Sequence, residues 1–126
     1  MSTQDPIVIV AAKRTPMGGF MGGLSAVSAT TLGATAIRGA MDAAKLSNDQ
    51  VDEVIMGCVL PAGLKQAPAR QAALEANLDL STACTTINKV CGSGMKAAMQ
   101  AHDALLAGSI DVAIAGGMES MTNAPH

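Results

Sequence analysis

Pro6-Ile7-Val8-Ile9-Val10-Ala11-Ala12 is an unbroken apolar run weighted towards β-branched side chains, and no other stretch limits the choice of fold as much. A strand without polar alternation has to be covered on both faces, as in the middle of a parallel sheet. Covering both faces takes helices on both sides, so the run predicts an α/β chain. The next segments repeat the theme. From Thr30 or Thr31 to Lys45 the residues are mostly Ala, and Ile37, Met41 and Ala44 recur at helical spacing. Ser28 or Thr30 can cap the start of that helix, and Lys45 in its last turn suits the dipole. Ser47-Asn48-Asp49-Gln50 has capping-box spacing for one more turn, and Val51 to Leu60 reads as a strand.

Pro61 to Gln66 is a predicted loop, Pro68 fits a first helical turn, and Arg70 to Ala76 reads as a short second helix ending near Asn77. Leu78 to Ala83 leads into a strand at Thr85-Thr86-Ile87. Met95 to Ala107 reads as a third helix with Gly108 as its left-handed terminator, and Ile110 to Gly117 as a last strand. Lys96, Gln100 and Asp103 make only a narrow polar stripe on the third helix, which predicts that it is mostly buried. Val51 to Gly57 and Ile110 to Gly116 echo one another in their Asp and Gly placement, and two strands with similar entries explain the echo.

Composition removes several functions. The chain has 126 residues, the length of one domain, and 49% hydrophobic residues, enough for a core. A net charge of −2 and a single aromatic residue, Phe20, leave no basic footprint and nothing to stack on bases, so nucleic acid is excluded as the main partner. No apolar run approaches the roughly 18 residues of a membrane span. Three cysteines, Cys58, Cys84 and Cys91, fit a reducing compartment better than a disulfide framework. Met1 to Asp5 is short and polar with no leader pattern, and the expected location is the cytoplasm. The Gly-rich stretch Met17 to Gly23 spells neither a dinucleotide fingerprint nor a P-loop. Lys13 and Arg14 read as a solvated strand end rather than a phosphate site, and His126 has no assignable role.

The chemistry is expected at Asn88-Lys89-Val90-Cys91-Gly92-Ser93-Gly94-Met95-Lys96, where a strand gives way to a helix with a thiol at the junction. A helix start presents unpaired N–H groups and the positive end of the peptide dipole, which favour thiolate and can hold a developing oxyanion. Gly92 and Gly94 leave room for a bulky acyl donor. Position alone leaves two readings open, because a free cysteine is also a common small core residue. Gly-x-Ser-x-Gly fails around Ser93, and no two cysteines have redox spacing. His102 follows Cys91 by eleven residues, about 16 Å along a helix axis, and is too far to be its base; it reads as a core or edge histidine.

The segment Asn88 to Ala97 resembles the acyl-enzyme cysteine signature of thiolases. Lys13-Arg14-Thr15-Pro16 with its glycine loop, Val51 to Val59, Ala67 to Ala72, and Ala115-Gly116-Gly117-Met118-Glu119-Ser120-Met121 resemble further thiolase blocks in the same order. Leu64-Lys65 departs from the Gln-Gly common in that loop. The resemblance implies a βαβαβαββ half with a mixed, mostly parallel sheet, residues 1–126 being the N-terminal domain of a longer chain. It implies Cys91 as the nucleophile that accepts an acyl group, with coenzyme A thioesters as substrates and neither cofactor nor metal. It implies condensation of two acetyl-CoA or the reverse thiolysis, and a homodimer or homotetramer for the whole protein. The activating histidine, second catalytic cysteine and coenzyme A loop of the family lie in later segments, so these residues alone are expected to be inactive. The alternatives are a ketosynthase-like condensing enzyme acting on carrier-protein substrates, and a non-catalytic lipid-binding or assembly module. Met118-Glu119-Ser120-Met121 favours thiolase.

Overall fold

The computed structural model describes residues 6–126; the reading of Met1 to Asp5 as leaderless lies outside the described residues. Helix α1 spans Ala29–Ala44, strand β1 Glu53–Gly57, helix α2 Pro68–Glu75, strand β2 Ala83–Ile87, helix α3 Ser93–Leu106 and strand β3 Ala113–Gly117, followed by a 3-10 turn at Met121–Asn123. The three strands form a parallel sheet in the order β2-β1-β3, in register Glu53 to Ala83 and Ala113, through Gly57 to Ile87 and Gly117. The α/β class is as expected.

Local chemistry explains the boundaries. The Ser28 hydroxyl caps α1 by accepting from the Thr31 N–H at 3.2 Å, and the helix stops at Lys45, which turns left-handed with φ 57°. Pro68 occupies the first turn of α2 as expected. Ala67 before it offers no side-chain cap, and Thr86 of β2 substitutes by accepting from the Ala69 N–H at 2.9 Å. Arg70 then ties α2 to the approach of β2 by donating to the Thr82 and Leu80 carbonyls at 2.7 and 2.9 Å. Lys65 holds a left-handed φ of 67°. Gly108 ends α3 at φ 77°.

Alternation along β1 divides the core. Val54 and Met56 pack with Ile37 and Met41 of α1, Ala69, Ala72 and Ala73 of α2, and Met118, whereas Ile55 packs with Ala97 and Ala101 of α3. Helices α1 and α2 therefore cover one face and α3 the other. The crossover from β1 to β2 and that from β2 past β1 to β3 run in opposite directions across the sheet, so right-handed connections place α2 and α3 on opposite faces. Asp52 joins the strand entries: its carboxylate accepts from the Asp111 and Val112 N–H groups at 2.8 and 3.0 Å, which hold its pKa below the usual carboxylate value.

Two expectations fail. The run Pro6 to Ala12 is not a strand, and Val8, Ile9 and Val10 are 65%, 88% and 68% exposed. The middle of the sheet belongs to β1, whose four residues Val54 to Gly57 are buried. The run instead lines a cleft of about 1380 Å³ whose other walls include Ala113 to Gly117 of β3. Apolar periodicity reports what a segment can bury, and a strand also needs an edge whose amides it can reach. Helix α3 is likewise less buried than its narrow polar stripe suggested: Ser93, Ala97 and Ala101 are covered, but Met95, Met99 and Leu106 are exposed. Its contact with the sheet runs along one line of small residues, which leaves the rest of its circumference open.

That contact depends on Gly57. A Cβ there would lie 2.6 Å from the Ser93 carbonyl carbon and 2.7 Å from its Cβ. We expect Gly57→Ala to cost about 1–3 kcal/mol, measured as a lowered urea midpoint. Gly19→Ala, where a Cβ would meet nothing within 4 Å, should leave the midpoint unchanged.

Candidate active site

Strand β2 ends at Ile87, and after five linking residues α3 begins at Ser93. Side chains and two successive backbone turns together shape this link. The Asn88 carboxamide oxygen accepts from the Val90 N–H at 2.9 Å, while its nitrogen donates to the Val59 carbonyl at 3.1 Å, fastening the link to the exit of β1. The Ser93 hydroxyl accepts from the Lys89 N–H at 2.8 Å and donates to the Val90 carbonyl at 2.6 Å. The Gly92 N–H closes the turn onto the Lys89 carbonyl at 3.0 Å. Within this frame Val90 adopts φ 49°. A β-branched residue in the left-handed region is strained, by about 1–3 kcal/mol.

Cys91 follows Val90, exposed, two residues ahead of the first residue of α3. The sequence placed it at or just before the helix start, and there it stands. Gly92 is the cap residue and brings no side-chain hydrogen bond, and among the described residues the first-turn N–H groups of Gly94 and Met95 have no acceptor. Donors therefore remain at the helix end beside the thiol. Cys91 itself lies past the C-terminal end of β2, the side of a parallel sheet where open α/β folds place their ligands, and it lines the large cleft that runs along β3. Gly94 approaches Gly117 backbone to backbone: a Cβ on Gly117 would stand 3.5 Å from the Gly94 Cα.

The other two thiols have different surroundings. Cys58 is 1% exposed and donates to a Glu119 carboxylate oxygen at 3.7 Å. Burial first, then the Glu119 charge, push its pKa up to about 11. Glu119 itself is anchored by the Val59 and Leu60 N–H groups at 2.7 and 3.0 Å. Cys84 is half-buried and donates to the Thr82 carbonyl at 3.5 Å. His102 is an exposed edge histidine, its Nδ1 3.5 Å from Asp103 on α3, and not a core one. His126 meets the Met121 carbonyl at 3.2 Å and packs edge-on with the Phe20 ring. Lys13 and Arg14 line the cleft wall, and the Arg14 Nε donates to the neighbouring Thr15 carbonyl.

Ser93, Asn88 and Glu119 stand in the recognised blocks, but their structural roles were not read from the sequence. A signal existed for one of them, since Asn two residues before a turn amide is a common turn former. Nothing local announces that Glu119 reaches back to the exit of β1, 60 residues earlier.

The sequence pattern of the family described as "Thiolase, N-terminal domain" matches residues 7–126. The chain is similar to the mitochondrial acetyl-CoA acetyltransferase of Homo sapiens, 55% identical over 124 residues that make up 98% of this chain and 29% of that protein. It is similar to the mitochondrial acetyl-CoA acetyltransferase of Danio rerio, 57% identical over 122 residues, 97% of this chain and 29% of the relative. Among solved structures it resembles a thiolase from Ascaris suum in complex with coenzyme A, with a TM-score of 0.91 and 40% identity, covering 93% of this chain and 31% of that one. The chain thus spans under a third of the length of these relatives. The expected cytoplasmic location is overturned by the mitochondrial relatives. Three free thiols argue against an oxidising compartment and do not separate one reducing compartment from another. No helix among the described residues is long and apolar enough to cross a membrane.

Two measurements check the thiol assignments. At pH 7.5, roughly one unit below the reference thiol pKa, iodoacetamide should alkylate Cys91 first and Cys58 last, about tenfold or more apart; peptide mass mapping over time reads the order. Cys58 keeps its proton to higher pH in the fold than its ordinary 9.0. Its contribution to stability is therefore whole below pH 9 and is lost as pH climbs through about 11. The urea midpoint should fall over that window, and Cys58→Ala should flatten the fall.

Proposed function

The chain belongs to the thiolase family, and from that membership we propose that it supplies the acyl-accepting cysteine of an acetyl-CoA acetyltransferase, with Cys91 as the nucleophile. The observation that carries this reading is the exposed thiol of Cys91, set on a strained turn at an uncapped helix start and lining the cleft that runs along β3.

The Cys91 thiolate attacks the carbonyl carbon of an acyl-CoA, the new C–S bond forms, and the C–S bond to coenzyme A breaks as coenzyme A leaves as its thiolate and takes a proton. One thioester replaces another at little free-energy cost, so the acyl group stays activated for the next step; a serine ester would lie lower. Negative charge on the carbonyl oxygen meets the N–H groups at the start of α3, whose fixed donors need no reorganisation as it develops. In the second half-reaction the enolate of another acyl-CoA attacks the Cys91 thioester, giving a 3-ketoacyl-CoA, and thiolysis is the reverse.

Forming that enolate needs a base, and His102 is about three turns down α3 with Asp103 as its partner. The proposal therefore assigns deprotonation to parts of the protein outside these residues, and oligomeric assembly belongs to the same whole protein. The family pattern matched is that of thiolase, which disfavours the ketosynthase-like alternative. A packing-only cysteine would be covered, and Cys91 is not.

Incubation with acetyl-CoA followed by peptide mass spectrometry is the test. An acetyl group on Cys91 is the expected adduct, absent in Cys91→Ala, and an adduct that persists in Cys91→Ala overturns the assignment. Sustained condensation by the 126 residues alone would overturn the assignment of the base elsewhere. In the whole enzyme Cys91→Ser should lower kcat by about 10³-fold or more.

A further inference from the structure

We propose that Ser93 is the positioning residue of the Cys91 turn: its hydroxyl holds Val90 in the left-handed conformation and thereby sets where the sulfur points. The proposal rests on the reading of Cys91 as nucleophile and adds to it the group that aims the thiol.

Ser93 is the first residue of α3 and is 4% exposed, an unusual burial for a serine at a helix start. Its hydroxyl does not serve as a helix cap. It spends its accepting capacity on the Lys89 N–H at 2.8 Å and its donating capacity on the Val90 carbonyl at 2.6 Å. One oxygen thus brackets the two residues immediately before Cys91. Packing does not explain the conformation of Val90, because the residue is 64% exposed. A left-handed valine held without burial has to be imposed by its backbone partners: the Asn88 carboxamide on its N–H, and on its carbonyl the Ser93 N–H at 3.1 Å together with the shorter bond from the Ser93 hydroxyl, which alone also grips the Lys89 N–H.

The hydroxyl is also prevented from withdrawing. Behind Ser93 lies the bare backbone of Gly57, so close that a Cβ there would stand 2.7 Å from the Ser93 Cβ. The serine is seated against the end of β1 and reaches forward to the turn. Sheet, serine and turn form one chain of contacts that ends at Cys91, whose own side chain makes none of them.

Three variants test this, with the Val90 backbone ¹³C shifts and the rate of Cys91 alkylation by iodoacetamide as readouts. In Ser93→Ala the Val90 shifts should leave the left-handed range, and Cys91 alkylation at neutral pH should slow by about threefold to tenfold. Labelling of Cys84 should stay unchanged as a control on the fold. In the double variant Ser93→Ala/Val90→Asn, asparagine tolerates the left-handed region by itself, and both readouts should return towards the parent. If Ser93→Ala leaves Val90 left-handed with the same Cys91 rate, or if Val90→Asn gives no recovery, the proposal is overturned. Should Ser93→Ala fail to fold, Val90→Asn alone decides: it should keep the parent's Cys91 rate within about threefold, and a larger loss in folded protein overturns the proposal. The two assignments fail separately. An unacetylated Cys91 with a released Val90 in Ser93→Ala removes the nucleophile reading and leaves the turn assignment, and an acetylated Cys91 with an unmoved Val90 does the reverse.

Discussion

The approach of α3 to the sheet at Gly57, Gly94 and Gly117 is the constraint on which the rest of the site depends. Backbone meets backbone there because three side chains are missing. With the helix start lowered onto the strand ends, Ser93 can be buried and still reach Lys89 and Val90, and its N–H groups stand beside Cys91. Helix–sheet packing through Ala97 and Ala101 continues the same close line down α3. A wider spacing would leave both the serine and the turn without their partners.

The three cysteines show how one fold gives a common side chain three characters. Cys58 is buried at the exit of β1 with a carboxylate against it, and burial first, then that charge, keeps it a thiol. Cys84 lies along β2 beside Arg70, half-covered and hydrogen-bonded to a carbonyl. Cys91 is exposed to solvent beside the free amide donors of a helix start. The difference comes from where each falls relative to the ends of the strands.

Much of this was legible in the residues. The helices at Ala29–Ala44 and Pro68–Glu75, the left-handed Gly108, and the thiol at a strand-to-helix junction follow from capping residues, proline placement and helical spacing, all of which act over a few residues. What escaped depends on distant partners. Pro6 to Ala12 carries the signature of a central strand, yet β1 holds that position with β2 and β3 on its two edges. The composition of α3 suggested burial, and the number of faces it covers is set by its neighbours. Glu119 and Ser93 acquired their roles through contacts that no local pattern encodes.

The unpaired run has a thermodynamic consequence. Val8, Ile9 and Val10 border a cleft of about 1380 Å³, space for some tens of water molecules lying against aliphatic carbon. Water ordered on such walls raises the heat capacity of the open form. Anything that dries those walls should therefore register in a calorimeter as a negative change in heat capacity, whether or not it touches the sulfur.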